Sequence, residues 1–545
     1  MATRDLIDDD ENATRPRWSL PRPTSDQLWL IVALCVGSAV YLSYLSTHSH
    51  PAYEGGLYLQ IAEEIRTSGY GLPERIPYYL EGGIPFAYPP LVFYCIAAVT
   101  DLTGVDPVML ELYVPGVVSV CYLIPYYYVA KELLGQPKLA GIATIFFAVT
   151  PQVLRWHISA GGIVRSVAVL FTMLGLFAGI KLFRDRNRRW VLPAALLFTL
   201  TLLSHPVYSV FFAGSYLLLY AYYDRTVRGL LVGALVPLTA LVGASPWLLQ
   251  IAQTHGLEIF MTASGTHTGL FGGFDRIKSK LIYPLWGSTV IVPFFVTAFA
   301  GGIYAIVKRR YFLPVWMVLS AYVIGKQRFT FVAGSMLAAI IIVEVIAPSI
   351  ADIDLELPIP VLTSPQRLFS AVFAFCVVAG AISTGVAFAG SELNTNYHDS
   401  ATQPQTVDGQ DLVASKWIAN NTERNETFVV MSDAAEWIPY YAERTVVLSP
   451  WGAEWTTTGG YYTEYELFRD LASCRDLDCV SVLLNTADRH PDYLYVSREA
   501  YTVHGNEHSG RTQLVRELRM ADNYDQVYTN PGVAIFKRTD QESTS

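Results

Sequence analysis

The sequence predicts a polytopic α-helical membrane body of about eleven transmembrane helices, followed by a C-terminal extracytoplasmic soluble α/β domain. Three observations predict it. Only 16% of the 545 residues are charged and 52% are hydrophobic, against about 25% charged in an ordinary soluble protein. Apolar stretches suited to roughly 30 Å of hydrocarbon recur up to Phe388 and then stop. The charge divides at the same place. From Ser391 onward there are 24 acidic and 12 basic residues, a net of −12, while the rest of the chain carries +3 of the total −9. This balance excludes a nucleic-acid-binding protein, a disordered chain and a small disulfide scaffold.

The expected spans are Leu28–Leu45, Met109–Val129, Leu139–Leu154, Val164–Phe183, Val191–Leu203, Val207–Tyr223, Leu230–Ile251, Leu281–Val307, Phe312–Ile324, Phe329–Ile346 and Leu368–Phe388. Lys and Arg gather on cytoplasmic loops. The clusters at Arg184/Arg186/Arg188/Arg189, Lys131/Lys138, Arg225/Arg228 and Lys308/Arg309/Arg310 therefore set the orientation. Residues 1–27 form a cytoplasmic tail, residues 28–390 the transmembrane domain with a first outer loop at 46–107, and residues 391–545 the extracytoplasmic domain. Leu91 to Val99 is apolar, but as a span it would turn the Arg184 cluster outward, so it reads as a helix in the outer interface.

In the tail, short apolar runs at Phe428–Met431, Thr445–Leu448, Val480–Leu484, Tyr493–Val496 and Val533–Phe536 read as buried strands. Asp411–Asn420 and His508–Met520 read as helices. Cys474 and Cys479 stand apart from the cysteines of the apolar segments. On an outer face they are disulfide candidates or two free thiols, and they are too few ligands for zinc.

The first outer loop runs Tyr53-Glu54-Gly55-Gly56-Leu57-Tyr58, through an amphipathic stretch and a Gly69-Tyr70-Gly71 break, to Tyr88-Pro89-Pro90-Leu91. An acid just after the first span, Tyr four residues on, a helix and then Tyr-Pro-Pro-Leu resembles the first periplasmic or lumenal loop of the GT-C superfamily of membrane glycosyltransferases. That superfamily includes protein O-mannosyltransferases, the lipid A aminoarabinose transferase and, more distantly, oligosaccharyltransferase catalytic subunits. Many spans before an outside domain is also similar to archaeal members, dolichyl-phosphate-mannose mannosyltransferases among them. The resemblance implies that Glu54, where the family usually has Asp, is the catalytic base or orients the acceptor. A carboxylate at the membrane surface is chemically suited to take a proton from an acceptor hydroxyl. Glu54 could equally mark the wet end of a span or cap the next helix.

The donor the resemblance implies is a sugar on dolichyl or polyprenyl phosphate, whose leaving phosphate gains charge and calls for cations. Lys326 and Arg328 lie in Lys326-Gln327-Arg328-Phe329, which resembles the Arg-Phe that oligosaccharyltransferases set against lipid phosphate. Arg165 and His157 lie in the second outer loop, and His205 ends another helix on the same side. With Tyr58 and Tyr88 these are the candidate substrate-binding residues, the plain alternative being interfacial anchoring. The second loop carries Arg165 and no acid, a departure from the metal-binding members. No cofactor is expected: metal-independent members that use a dolichyl-phosphate monosaccharide fit better than those that need a divalent metal. The Trp-Trp-Asp-Tyr-Gly motif of oligosaccharyltransferases is absent. The implied function is transfer of one monosaccharide, mannose by the resemblance, to an extracytoplasmic glycan or glycoprotein in N-glycosylation, with inversion as in single-displacement chemistry. The bilayer is the other partner. Nine lysines against 29 arginines, with the acidic tail, suggest a halophilic archaeon. The alternatives are oligosaccharyltransferase-like transfer of a whole glycan and a lipid-linked sugar flippase.

Overall fold

The computed structural model describes residues 24–51, 54–159, 161–263, 273–286, 292–351, 407–457 and 460–539. The expected span Leu368–Phe388 and the 390/391 boundary lie outside them. The chain opens with α1 (Ser25–Thr47). Its first turn is closed by a capping box in which the Thr24 hydroxyl accepts from Gln27 N and the Gln27 side chain accepts from Thr24 N at 2.9 Å. The first loop follows with α2 (Gly56–Thr67), the antiparallel pair β1 (Arg75–Ile76) and β2 (Ile84–Pro85), and α3 (Leu91–Thr103). The segment expected in the interface is thus helical. Val92, Phe93, Ile96 and Ala97 are buried on one side of α3, while Val99 and Leu102 are exposed.

Asp106 then caps α4 (Pro107–Cys121), accepting from Val108 N at 2.9 Å ahead of a proline that suits the first helical position. Helix α5 (Leu123–Leu134) continues it and stops at Gly135, in the left-handed region. Next come α6 (Pro137–Val149), α7 (Pro151–His157), α8 (Gly162–Phe183), α9 (Val191–Ser204), α10 (Pro206–Tyr223) and α11 (Val227–His255). The body closes with α12 (Glu258–Ala263), α13 (Gly273–Ile277), α14 (Val292–Val307), α15 (Phe312–Val323), α16 (Gln327–Ile341) and α17 (Ala347–Ala351). Among the described residues five helical runs are long and apolar enough to cross a membrane, or six with one bent pair.

That bent pair corrects the expected span Leu139–Leu154. Pro151 has no N–H and bars its predecessor from helical ψ, so α6 ends at Val149 and α7 leaves at 61°. The expected span Leu281–Val307 is corrected too. Its first residues belong to a π turn at Lys278–Ile282 and a 3-10 turn at Tyr283–Trp286, and its regular helix is α14. Helix α16 is the axis of the bundle, with every residue from Arg328 to Ile340 buried. Gly301 of α14 lets the two backbones meet there, since a Cβ would stand 1.9 Å from the Leu337 carbonyl oxygen. Glu344, in the turn that follows α16, is ion-paired with Arg310 at 2.6 Å.

The C-terminal part is a five-stranded mixed sheet of β3 (Thr427–Val430), β4 (Thr445–Val446), β5 (Tyr493–Ser497), β8 (Tyr524–Thr529) and β9 (Val533–Arg538). The spatial order is β4-β3-β5-β9-β8, parallel at β3 and antiparallel at β9. A separate hairpin joins β6 (Tyr501–Val503) to β7 (Asn506–His508). The helices are α18 (Gly409–Asn421), α19 (Ile438–Ala442), α20 (Gly460–Ser473), α21 (Leu477–Thr486) and α22 (Thr512–Met520). Cys474 and Cys479 form a disulfide between α20 and α21. The sheet edge does not end at β4. Leu80 N donates to Val446 O and Val446 N to Tyr78 O, both at 2.9 Å, so the first loop adds a bridge to the domain's sheet.

Val480–Leu484, expected as a strand, is part of helix α21. Asp476 caps it by accepting from Cys479 N at 2.9 Å. Val480 and Leu484 are buried four residues apart while Val482 between them is 63% exposed, a helical period that a strand would not show. Val480→Ala is therefore expected to cost about 1–3 kcal/mol and Val482→Lys less than about 0.5 kcal/mol, read as shifts of the thermal unfolding midpoint. Equal losses would restore the strand assignment.

Candidate active site

The 61° break at Pro151 brings the end of α7 to the same end of the bundle as the first loop, the His205 corner and the start of α16. The C-terminal domain covers that end. Between them lies a cavity of about 290 Å³. One wall belongs to the bundle and first loop: Glu54, Tyr58, Tyr88, Trp156, Arg165, His205, Lys326 and Arg328. The other belongs to the domain: Trp451, Glu454, Trp455, Tyr461 and His504.

Glu54 ion-pairs with Arg165 on α8. Its backbone has φ +66°, an uncommon conformation for a residue with a Cβ, of a kind that costs roughly 1–3 kcal/mol and persists where surroundings over-determine it. Here its amide donates to Glu436 Oε2 of the C-terminal domain at 3.0 Å while Arg165 holds its side chain. Gly161 makes room for the pair. At φ +66° it sits where a Cβ would stand 2.4 Å from Tyr58 Cε2 and 2.9 Å from both Arg165 Nη1 and the Glu54 carbonyl oxygen.

Arg165 and Arg328 lie over the ring of Trp156, at 4.9 and 5.5 Å from its centre. Arg328 also lies 5.6 Å from the ring of Tyr208. An indole face attracts cations, so Trp156 holds two like charges near one another. Among the described residues no carboxylate ion-pairs with Arg328 or Lys326, and Arg328 Nε has no hydrogen-bond partner. Burial and the neighbouring Arg328 push the Lys326 amine down to about 8. Opposite, burial pushes the Glu454 carboxyl up to about 7. With Glu54 answering Arg165, the cavity keeps an excess of positive charge.

Tyr58 and Tyr88 meet at 3.3 Å between their hydroxyls. Burial raises Tyr58 well above its usual range and Tyr88 to about 12, so both stay protonated donors. Tyr88 contacts Trp455 across the cavity and His205 beside it, edge-on at 6.0 and 5.9 Å. His205 serves the break between α9 and α10 and lines the cavity as well.

Of the residues read from the sequence, Glu54, Arg165, Tyr58, Tyr88, His205, Lys326 and Arg328 come together. His157 does not line the cavity. It is buried behind it, Nδ1 3.3 Å from the Tyr122 hydroxyl and Nε2 2.6 Å from that of Tyr208, the ring beneath Arg328. It supports the cation wall from behind. Trp156, Glu436, Glu454, Trp455, Tyr461 and His504 were not read as site residues. Trp156 had a visible signal, an indole one residue from Arg155 and His157; the others stand far away in sequence.

No family model matches the chain, and no curated protein does. Solved structures do. The archaeal oligosaccharyltransferase AglB from Archaeoglobus fulgidus, in complex with an inhibitory peptide and a dolichol-phosphate, aligns over 90% of this chain and 74% of its own, with TM-score 0.53 and 13% identity. ArnT from Cupriavidus metallidurans, bound to undecaprenyl phosphate, aligns over 95% of this chain and 99% of its own, at TM-score 0.53 and 13% identity. Arabinofuranosyltransferase AftD from Mycobacteria aligns over 95% of this chain but 40% of its own, at TM-score 0.57 and 13% identity. These are glycosyltransferases of the GT-C fold, and the chain shares that fold.

Gly161 and Gly104 separate backbone strain from crowding. Gly104 has φ +70° and nothing within 4 Å of a Cβ. Gly104→Ala should cost about 1–2 kcal/mol. Gly161→Ala should cost about 1–3 kcal/mol more from overlap. Thermal unfolding of the two variants measures the difference; equal costs would mean that the Glu54–Arg165 pocket is not tight.

Proposed function

We propose that the protein is a membrane glycosyltransferase that moves one sugar from dolichyl or polyprenyl phosphate to an extracytoplasmic glycan or glycoprotein, inverting the anomeric carbon. The observation that carries the reading is a pair of cations, half-buried Lys326 and buried Arg328, that ion-pair with no carboxylate among the described residues and share one cavity with Glu54. Solved structures of the same fold include one with a dolichol-phosphate and one with undecaprenyl phosphate. Mannose is the sugar, and N-glycosylation the pathway, that the first-loop resemblance implies. The orientation proposed with it places the N-terminus in the cytoplasm and the C-terminal domain outside.

The step balances as follows. An acceptor hydroxyl oxygen bonds to the sugar's C1, its proton passes to a Glu54 carboxylate oxygen, and the C1–O bond to the lipid phosphate breaks with its electron pair on phosphate. The phosphate goes from one negative charge to about two. Lys326, Arg328 and Arg165 stabilise that growing charge more than the ground state, which is what accelerates a reaction. The aromatic wall of Trp455 and Tyr461 offers flat faces for an acceptor sugar. The residues do not suit a divalent metal. Among the described residues no three His, Cys, Asp or Glu side chains gather as ligands, and the Glu54 carboxylate is held by the Arg165 guanidinium. We therefore assign the charge stabilisation to the three basic residues. The segment around Trp437 lacks the Trp-Trp-Asp-Tyr-Gly motif, which favours single-sugar transfer over transfer of a whole glycan.

Glu54→Gln is expected to lower turnover by roughly 10²–10⁴-fold, the usual weight of a general base, with donor binding retained. Arg328→Ala is expected to weaken donor binding and turnover together. Mass spectrometry of surface glycans from cells with and without the gene tests the reaction. Loss of one hexose supports the proposal, loss of the entire glycan supports oligosaccharide transfer, and restoration by the Glu54→Gln variant removes Glu54 as base.

Donor affinity should also depend on pH. Glu454 is neutral below about 7 and anionic above it, and Lys326 is cationic below about 8 and neutral above it. Both changes disfavour an anion as pH rises. Affinity for the lipid phosphate is expected to fall roughly tenfold between pH 6 and pH 9, with the lower part of the fall abolished in Glu454→Gln. A flat profile in the wild type would remove both groups from the phosphate's surroundings.

A further inference from the structure

The C-terminal domain reaches into the first loop through one 3-10 turn, Asp433–Glu436, and both of its carboxylates are buried. They point to opposite walls of the cavity. Asp433 accepts from His504 N at 2.6 Å and Gly505 N at 2.8 Å, fixing the left-handed turn of the β6–β7 hairpin that puts His504 in the cavity. Glu436 accepts from Glu54 N at 3.0 Å and Leu57 N at 3.4 Å.

We propose that Glu436 is a positioning residue for Glu54. Through its carboxylate the C-terminal domain holds the first-loop backbone in the left-handed conformation that presents Glu54 to Arg165 and the cavity. The catalytic consequence rests on Glu54 being the base. Helix capping alone does not account for the contact. A helix N-terminus is normally capped by the side chain just before it, and here Gly55 offers none. The acceptor comes instead from a residue 382 positions away, and it takes the amide of Glu54, which precedes the cap.

The surrounding residues are shaped to the same contact. A Cβ on Gly55 would stand 2.8 Å from the Trp437 ring, and one on Gly56 would stand 2.4 Å from the Glu436 carbonyl oxygen. The Tyr79 hydroxyl donates to that carbonyl at 2.6 Å. Glu436 is not a second base, because both its oxygens accept amides and it does not line the cavity. Without it the Glu54 amide is left in a buried site with no acceptor, the positive φ loses one of its two restraints, and the carboxylate leaves its place between Arg165 and the acceptor.

The test uses the full-length protein in lipid nanodiscs as wild type, Glu436→Gln, Glu436→Ala and Tyr79→Phe. The last removes a contact of the same turn and leaves the carboxylate. Hydrogen exchange is followed at the amides of 54–57 and at β3 and β5, alongside kcat and KM with a polyprenyl-phosphate hexose. Glu436→Ala should expose the 54–57 amides while the sheet stays protected. It should lower kcat about 10²-fold, the scale of a misplacement of about 1 Å, with donor KM within about threefold. Glu436→Gln, which keeps one acceptor, should fall between, and Tyr79→Phe should stay near wild type. Unchanged exchange at 54–57 in Glu436→Ala overturns the inference, as does freed exchange with wild-type kcat. A wild type that transfers no sugar overturns the glycosyltransferase reading instead, and exchange alone then decides whether Glu436 holds Glu54.

Discussion

Three cations meet at one small cavity, and the low dielectric around them makes their company costly unless each is answered. Arg165 is answered by Glu54. Arg328 lies against the faces of Trp156, Tyr208 and Phe329, with no carboxylate ion pair among the described residues. Lys326 ion-pairs with no carboxylate among the described residues, and its amine is pushed toward neutrality. The arrangement is suited to an anion, which would answer the two cations. Most of what is unusual nearby follows from that demand: the indole between two guanidiniums, the left-handed glycine that admits Tyr58 beside Arg165, and the His157–Tyr208 pair beneath Arg328.

The same demand explains why the C-terminal domain is more than an appendage. Glu54 faces Arg165 from a left-handed backbone, and the bundle holds its side chain through Arg165. The C-terminal domain holds its backbone through the Asp433–Glu436 turn and adds the bridge that joins the Tyr78–Leu80 segment to Val446. The domain also contributes the aromatic wall opposite the cations. The cavity thus has a cationic side suited to a phosphate and a flat apolar side suited to a sugar, with the carboxylate at the seam.

The helical body was legible because long apolar runs leave few alternatives, and the loop order from Glu54 to Leu91 was legible because its spacing is distinctive. Seven of the eight candidate site residues are gathered in the cavity. The failures are short segments. Val480–Leu484 is as apolar as a strand, and five residues do not separate the two periods; the Asp476 cap decides. Leu139–Leu154 has the length of a span, but Pro151 breaks it where hydropathy is blind. His157 carries the chemistry of a ligand and sits behind the wall, because whether a histidine faces a cavity depends on the turn before it.

Composition and hydropathy alone determined an apolar helical bundle joined to an acidic α/β part, and the residue types at the loops determined a carboxylate and several cations at one end. Those follow from solvent partition, which acts residue by residue. Tertiary structure alone decided which cation answers Glu54, which two have no carboxylate ion pair among the described residues, and that a glutamate 382 positions away accepts the Glu54 amide. Such pairings are set by distances and burial between segments remote in sequence, and neither quantity exists until the chain has folded.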